Sequence, residues 1–298
     1  MTKKILVSGS IANDYIMNFH DEFGNYILPE KTHQLSVSFN INELNVNAGW
    51  AGQNISYNLW LLGQKSTLLW AVGQERQASE FNKEWIDYTH TIVSEKYHTA
   101  IANILTDDKS NQINWFYPGA IFESGQAHIA DVEGEIAIAI VSPNAPDTMS
   151  QHVRECNELD IPVIFDPGQP LPAFSQELLI QTLEAATYLI VNEYELELLC
   201  KIAEIQESDL IDMVQAYIVT LWAEWSRYVS RDESFAVAAQ QLSNDVVLDP
   251  TWAGDSFRAG ILYTLHHGLG WKEGMELGSK LAAACIQMHG TQRHSFEI

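Results

Sequence analysis

Ile136-Ala-Ile-Ala-Ile-Val141 carries no polar side chain on either face of the strand it would form. Such a strand must be covered on both sides, the situation of a parallel sheet sandwiched between helices. Working outward, short β-rich runs recur at residues 5–9, Ser66 to Val72, Pro162 to Phe165, Tyr188 to Val191 and Tyr217 to Thr220, with helical patterns between them. That alternation means βα units and an α/β fold: a central, mostly parallel sheet with helices on both faces. Two stretches, about 28–46 and 98–118, break the rhythm. There Leu35-Ser-Val-Ser-Phe39 and Ile101-Ala-Asn-Ile-Leu105 alternate with period two and no helix intervenes. They are expected to form a small antiparallel subdomain, a β lid made of segments about 15–46 and 96–120 on a single domain spanning 1–298.

The 298 residues include 16 Lys and Arg against 39 Asp and Glu, a formal net charge of −23. Phosphate backbones are bound mainly by basic side chains, so nucleic acid is excluded as a partner class, and an anionic membrane surface is disfavoured for the same reason. Cys156, Cys200 and Cys285 lie far apart without a CxxC pair, so neither a disulfide framework nor a structural zinc site is expected. Met1-Thr-Lys-Lys runs straight into Ile5-Leu6-Val7 without a signal-peptide pattern, and no run of about 18 apolar residues occurs, so a cytoplasmic location is expected.

Two helix starts stand out. Asn192 precedes Glu193-Tyr-Glu-Leu-Glu-Leu-Leu199, an N-cap followed by acidic residues in the first turn, where the helix dipole favours them. Further on, Asp249-Pro-Thr251 leads into Ala253-Gly-Asp255-Ser-Phe-Arg-Ala-Gly-Ile-Leu-Tyr263, a helix whose free N-terminal amides attract anions. Asp255 in its first turn fits two roles. It is a dipole-stabilising carboxylate, or a general base taking a proton from a hydroxyl while amides hold a transferring phosphoryl group. Spacing leaves both open.

The order of Gly49 to Asn54, Asn192-Glu-Tyr-Glu195 and Asp249-Pro-Thr-Trp-Ala-Gly-Asp255 resembles the ribokinase/pfkB family of sugar and nucleoside kinases over nearly the whole chain. Gly9-Ser-Ile-Ala-Asn-Asp14, residues 112–119, Ser142-Pro-Asn-Ala-Pro146 and Phe165-Asp-Pro-Gly168 support it. The resemblance implies a ribokinase-like fold and ATP-dependent phosphorylation of a hydroxymethyl group on a sugar or nucleoside. Asp255 would be the base, and the amides of Ala253, Gly254 and Asp255 the anion hole. Asp14, from the end of the first strand, Gly49 and Asn54 would hold the acceptor. Thr220, Trp222, Trp225 and Trp252 would mark the nucleotide loops. Asn192 and Glu195 would order Mg2+ through water, since magnesium dehydrates reluctantly.

The departures are of one kind. The family has glycine where this chain has Trp50, Trp222, Trp225 and Trp252, and often at Trp70 and Trp85. Glycine serves phosphate loops through close backbone approach or positive φ, which an indole hinders. Repeated replacement by one residue type matches a gene whose source reads UGA as glycine, translated under a code that reads it as tryptophan. A degenerate kinase that only binds its ligand is the competing class. Trp115 is expected to be a lid aromatic, Trp60 either core or another recoded glycine, and His266-His267 a helix C-terminus rather than a metal site. An adenosine-like nucleoside is the leading acceptor with ribose the close alternative, and the lid offers a surface for a homodimer.

Overall fold

A computed structural model describes all residues except 1–2, 28–33, 35, 50, 77–85, 110, 222–223, 244–245, 250–251 and 298. In chain order the strands are β1 (Lys4–Ser8), β2 (Ala12–Phe19), β3 (Glu43–Gly49), β4 (Ser66–Gly73), β5 (Ile86–Asp87), β6 (Thr91–Ser94), β7 (Ala100–Asp107), β8 (Gln112–Tyr117), β9 (Ile136–Val141), β10 (Val163–Phe165), β11 (Tyr188–Asn192), β12 (Ala216–Leu221), β13 (Trp225–Ser230) and β14 (Ser234–Ala238). The helices are α1 (Ala51–Leu61), α2 (Pro146–Glu158), α3 (Gln176–Ala185), α4 (Glu193–Ala203), α5 (Leu210–Met213), α6 (Ala253–His266) and α7 (Trp271–Cys285).

The main sheet runs β14-β13-β12-β11-β10-β9-β1-β4-β5, with β6 also on β4. Its pairs are parallel from β12 to β5, and only the β12-β13-β14 edge is antiparallel. Alternate side chains of each strand enter opposite layers. Leu6, Ala139, Val141, Val163 and Phe165 meet α2, α3 and α4 through Met149, Val153, Leu179, Leu183 and Leu199. Ile5, Val7, Ile138, Ile140 and Ile164 meet α1, α6 and α7 through Ile55, Leu59, Ile261 and Met275. The all-apolar Ile136–Val141 run thus feeds both cores, as its composition requires. Trp70, at 1% exposed, is a full member of the second core.

On the second face the helices approach closely. A Cβ on Gly260 would lie 2.4 Å from the Gly278 nitrogen, and one on Gly278 would lie 2.5 Å from the Phe257 carbonyl oxygen. These two glycines let α6 and α7 pack backbone against backbone. Helix starts are chemically marked: Pro146 opens α2, and Ser175 Oγ accepts from the Leu178 amide at the start of α3.

The lid is the second sheet, ordered β3-β2-β7-β8. Its strands, 12–19, 43–49, 100–107 and 112–117, stand beside the expected segments of about 15–46 and 96–120. It corrects the sequence reading in two respects. The central pair, β2 and β7, runs parallel, and only β2-β3 and β7-β8 are antiparallel. Residues 36–39 of the Leu35–Phe39 stretch are not a strand. This segment contributes side chains instead: the Phe39 ring sits 5.1 Å from Phe19 and 5.2 Å from Phe23. Trp60, 39% exposed on α1, is not a core residue either.

Candidate active site

In the strand order, β1 lies between β9 and β4, so the chain leaves it in opposite directions on its two sides. Clefts at the carboxyl ends of strands around such a point are the usual ligand sites of open α/β sheets. The Gly9-Ser10-Ile11 link there carries the chain straight from β1 into the lid, and Gly9 packs against α1. A Cβ on Gly9 would meet Gly52 Cα at 3.0 Å.

Asp14 belongs to the lid strand β2, not to the end of β1. It is buried, at 2% exposed, and pairs across the ladder with Asn47 and Ala102. Gly49 closes β3 opposite Ala12. Asn54 is buried in the first turns of α1, and its Nδ2 donates to Asp255 Oδ2 at 2.9 Å.

Asp255 is the third residue of α6, after the N-cap Trp252. The first amides of a helix have no intrahelical acceptor, so those of Ala253, Gly254 and Asp255 form an anion-attracting end. Loss of hydration within the crowded site pushes the Asp255 carboxyl up to about 6; Arg258 and the Asn54 hydrogen bond oppose that shift, and the Asp166 charge adds to it. A carboxyl held there is ionised at neutral pH yet basic enough to accept a proton.

Beneath Asp255, Arg258 grips Asp166, at the end of β10, through Nε to Oδ2 and Nη2 to Oδ1, both 2.6 Å. Ser142 Oγ adds a donor to Asp166 at 3.0 Å. Gly254 makes room for this clamp, because a Cβ there would lie 2.7 Å from Arg258 Nη1. Sequence reading assigned neither residue a role. The available signal was spacing: three residues after Asp255, Arg258 shares its helix face.

Asn192 ends β11 and caps α4. Its Oδ1 accepts from the Glu195 amide at 2.8 Å, and Glu195 Oε2 accepts from the Asn192 amide at 2.9 Å, a complete capping box. Burial raises the Glu195 pKa, opposed by the Arg258 charge. The N-x-x-E element and the Asp166–Arg258 clamp are therefore electrostatic neighbours. Thr220 pairs with Asn192 on one side and Ser226 on the other, which joins β12 directly to the capped helix start. Trp225 begins β13 opposite Leu221. Trp252 has φ −106° and ψ 8°, within reach of any L-residue, and its Nε1 is buried without a partner. Trp50, Trp85 and Trp222 lie outside the described residues.

Residues 3–297 match the pfkB family carbohydrate kinases. The chain belongs to the pfkB family. Among pfkB-family structures, the ligand-free nucleoside kinase of Burkholderia thailandensis has a TM-score of 0.85 at 34% identity, covering 98% of this chain and 96% of that one. The same kinase has been solved with inosine, at a TM-score of 0.83 and 31% identity over 98% and 94% of the two chains. A nucleoside kinase from Methanocaldococcus jannaschii is 28% identical over 97% of this chain and 92% of the relative. This pfkB chain is thus an ATP-dependent carbohydrate or nucleoside kinase with a ribokinase-like fold. No helix among the described residues is long and apolar enough to cross a membrane.

Proposed function

We propose that this chain transfers the terminal phosphoryl group of ATP to the hydroxymethyl group of a purine-like nucleoside. The observation that carries the reading is the Asn54–Asp255 hydrogen bond at the amide-rich start of α6, a base and an anion-attracting helix end side by side. The likeness to a nucleoside kinase that binds inosine supports a nucleoside over free ribose.

Asp255 takes the hydroxyl proton, and the amides of Ala253, Gly254 and Asp255 stabilise charge on the moving phosphoryl group. Asp14, Gly49 and Asn54 hold the acceptor's hydroxyls, and Thr220, Trp222, Trp225 and Trp252 border the nucleotide. For Mg2+, no group of three or more His, Cys, Asp or Glu side chains converges among the described residues. Glu195 also spends one oxygen in the capping box. The donor set therefore suits an ion carried on nucleotide phosphates, with Asn192 and Glu195 reaching it through water. Bound Mg2+ would neutralise phosphate charge. One domain with its lid does this work in the cytoplasm. The lid face bearing Leu44, Val46 and Trp115, all exposed, is where a second copy would pair.

A radiolabelled ATP transfer assay against adenosine, inosine, guanosine, cytidine and ribose, run with glycine at positions 50, 222, 225 and 252 beside the parent, tests the reading. Selective labelling of nucleosides is expected. Nucleoside binding without transfer would favour the competing reading, a kinase fold closed to ATP by its indoles, for which the buried, unpartnered Trp252 Nε1 speaks.

A further inference from the structure

The last residues of the chain reach the acceptor side of the site. Gln292 Nε2 donates to Asn54 Oδ1 at 3.0 Å, while the other end of the same amide, Nδ2, donates to Asp255 Oδ2 at 2.9 Å. An asparagine amide has one accepting and one donating end, and the two can exchange by a flip about χ2. Flipped, Asn54 would turn its oxygen toward a carboxylate. A donor on Oδ1 opposes that, since the flipped Asn54 would set its Nδ2 against the Gln292 N–H.

The tail is placed for this task. Gln292 adopts φ +57°, a left-handed conformation uncommon outside glycine that persists only where neighbours enforce it. Those neighbours are on the two segments it bridges. The Gly290 amide donates to Asp249 Oδ2 at 3.2 Å, ahead of α6. Beyond Gln292, His294 Nε2 bonds Asn58 Oδ1 at 2.9 Å, and Tyr57 Oη donates to the His294 carbonyl at 2.6 Å. Asn58 Nδ2 in turn donates to the Asn54 carbonyl at 2.9 Å. His294 and Tyr57 fasten the tail to α1; Gln292 touches the side chain that faces the base.

We propose that Gln292 is a positioning residue: from the C-terminal tail it fixes the orientation of the Asn54 amide and so keeps an N–H aimed at Asp255. Its effect on turnover rests on the kinase reading above, whereas its effect on Asn54 does not. Gln292→Met keeps the volume and removes the donor; Gln292→Glu keeps the shape and replaces the donor by acceptors.

Two measurements on the full-length chain test this. By NMR, the Asn54 side-chain amide protons should exchange with solvent at least about tenfold faster in Gln292→Met than in the parent, as expected when roughly one hydrogen bond's ordering is lost. Unchanged Asn54 exchange overturns the proposal whether or not the protein is an active kinase. In steady-state assays with glycine at positions 50, 222, 225 and 252, Gln292→Met should lower nucleoside kcat/KM by about tenfold, and Gln292→Glu by more, with the ATP KM unchanged and little change in Tm. In an Asn54→Leu background the Gln292→Met change should cost nothing further. Equal losses in both backgrounds, or losses that follow Tm, would make Gln292 merely structural. A protein that phosphorylates no nucleoside even with glycine at positions 50, 222, 225 and 252 would remove the nucleoside kinase reading and leave the exchange result to stand or fall alone.

Discussion

Arg258 and Asp166, 92 residues apart in sequence, meet in a buried two-point ion pair with both bonds at 2.6 Å. The pair ties α6, just beyond Asp255, to the carboxyl end of β10. Removing one member of such a pair strands a buried charge, which typically costs about 3–5 kcal/mol. Arg258→Met should therefore lower the urea midpoint strongly. Replacing both residues, Arg258→Met with Asp166→Leu, should recover much of the loss. A single variant as stable as the parent would refute the clamp.

In an active version of the protein, with glycine at positions 50, 222, 225 and 252, Asp255→Asn should lower turnover by about 10²-fold or more while ATP binding stays nearly intact, because general-base catalysis typically contributes 10²–10⁴-fold. With its carboxyl pushed up to about 6, the base is ionised above that pH and protonated below it. Nucleoside kcat/KM should accordingly be flat near neutrality and fall about tenfold per unit below pH 6. Stability has the opposite sign. The folded carboxyl holds its proton at a pH where the unfolded one has released it, so Asp255 destabilises the fold above pH 6 and relieves that cost as pH falls toward 4. Persistent turnover at pH 4.5 would remove Asp255 from the base role.

Glu195→Gln separates the two roles of the α4 start. The amide oxygen of Gln still accepts from the Asn192 N–H, so the capping box and Tm should survive. The half-saturating Mg2+ concentration should rise, because the charge is gone. An unchanged magnesium dependence would leave Glu195 as a cap alone.

Trp252 and Trp225 both take ordinary backbone conformations, so on the proposed reading bulk rather than strain would be their obstacle to a nucleotide. Protein with this sequence should bind ATP weakly. Glycine at positions 50, 222, 225 and 252 should restore phosphoryl transfer, since phosphate-binding amides need open access and a misplaced indole costs about 1–3 kcal/mol of overpacking. Calorimetric titration with ATP compares the two proteins. Full activity of the tryptophan protein would defeat the steric account, and an inert glycine protein that binds no ATP would defeat the kinase reading.

Gly260→Ala should destabilise the protein by roughly 1–3 kcal/mol or more, because its Cβ would meet helix α7 backbone that cannot rotate away. Gly24→Ala, with nothing within 4 Å of the added carbon, is the control and should be near neutral. Equal melting temperatures for the two variants would contradict the close α6–α7 approach.

Local chemistry was enough for the layers and the helix starts. Ile136–Val141 could only be a strand covered on both faces, and Asn192 with Glu195 could close a capping box within four residues, so neither depends on distant sequence. The order Asp249 to Asp255 likewise marked a helix opening with free amides. Pairing partners were another matter. Period-two alternation shows that Ile101–Leu105 is a strand but not that β7 runs parallel to β2, and it misplaced a strand onto 36–39, where aromatic side chains fill the lid while the backbone joins no ladder. Asp14 moved from the end of β1 to β2 for the same reason: β1 ends at Ser8, and the Gly9-Ser10-Ile11 link leads into a separate strand of the lid. The clamp of Asp166 with Arg258 and the line from Gln292 through Asn54 to Asp255 span 92 to 238 residues of sequence. Hydrogen bonds and ion pairs act over a few ångströms, and only the folded sheet and its closing tail bring those side chains within that range.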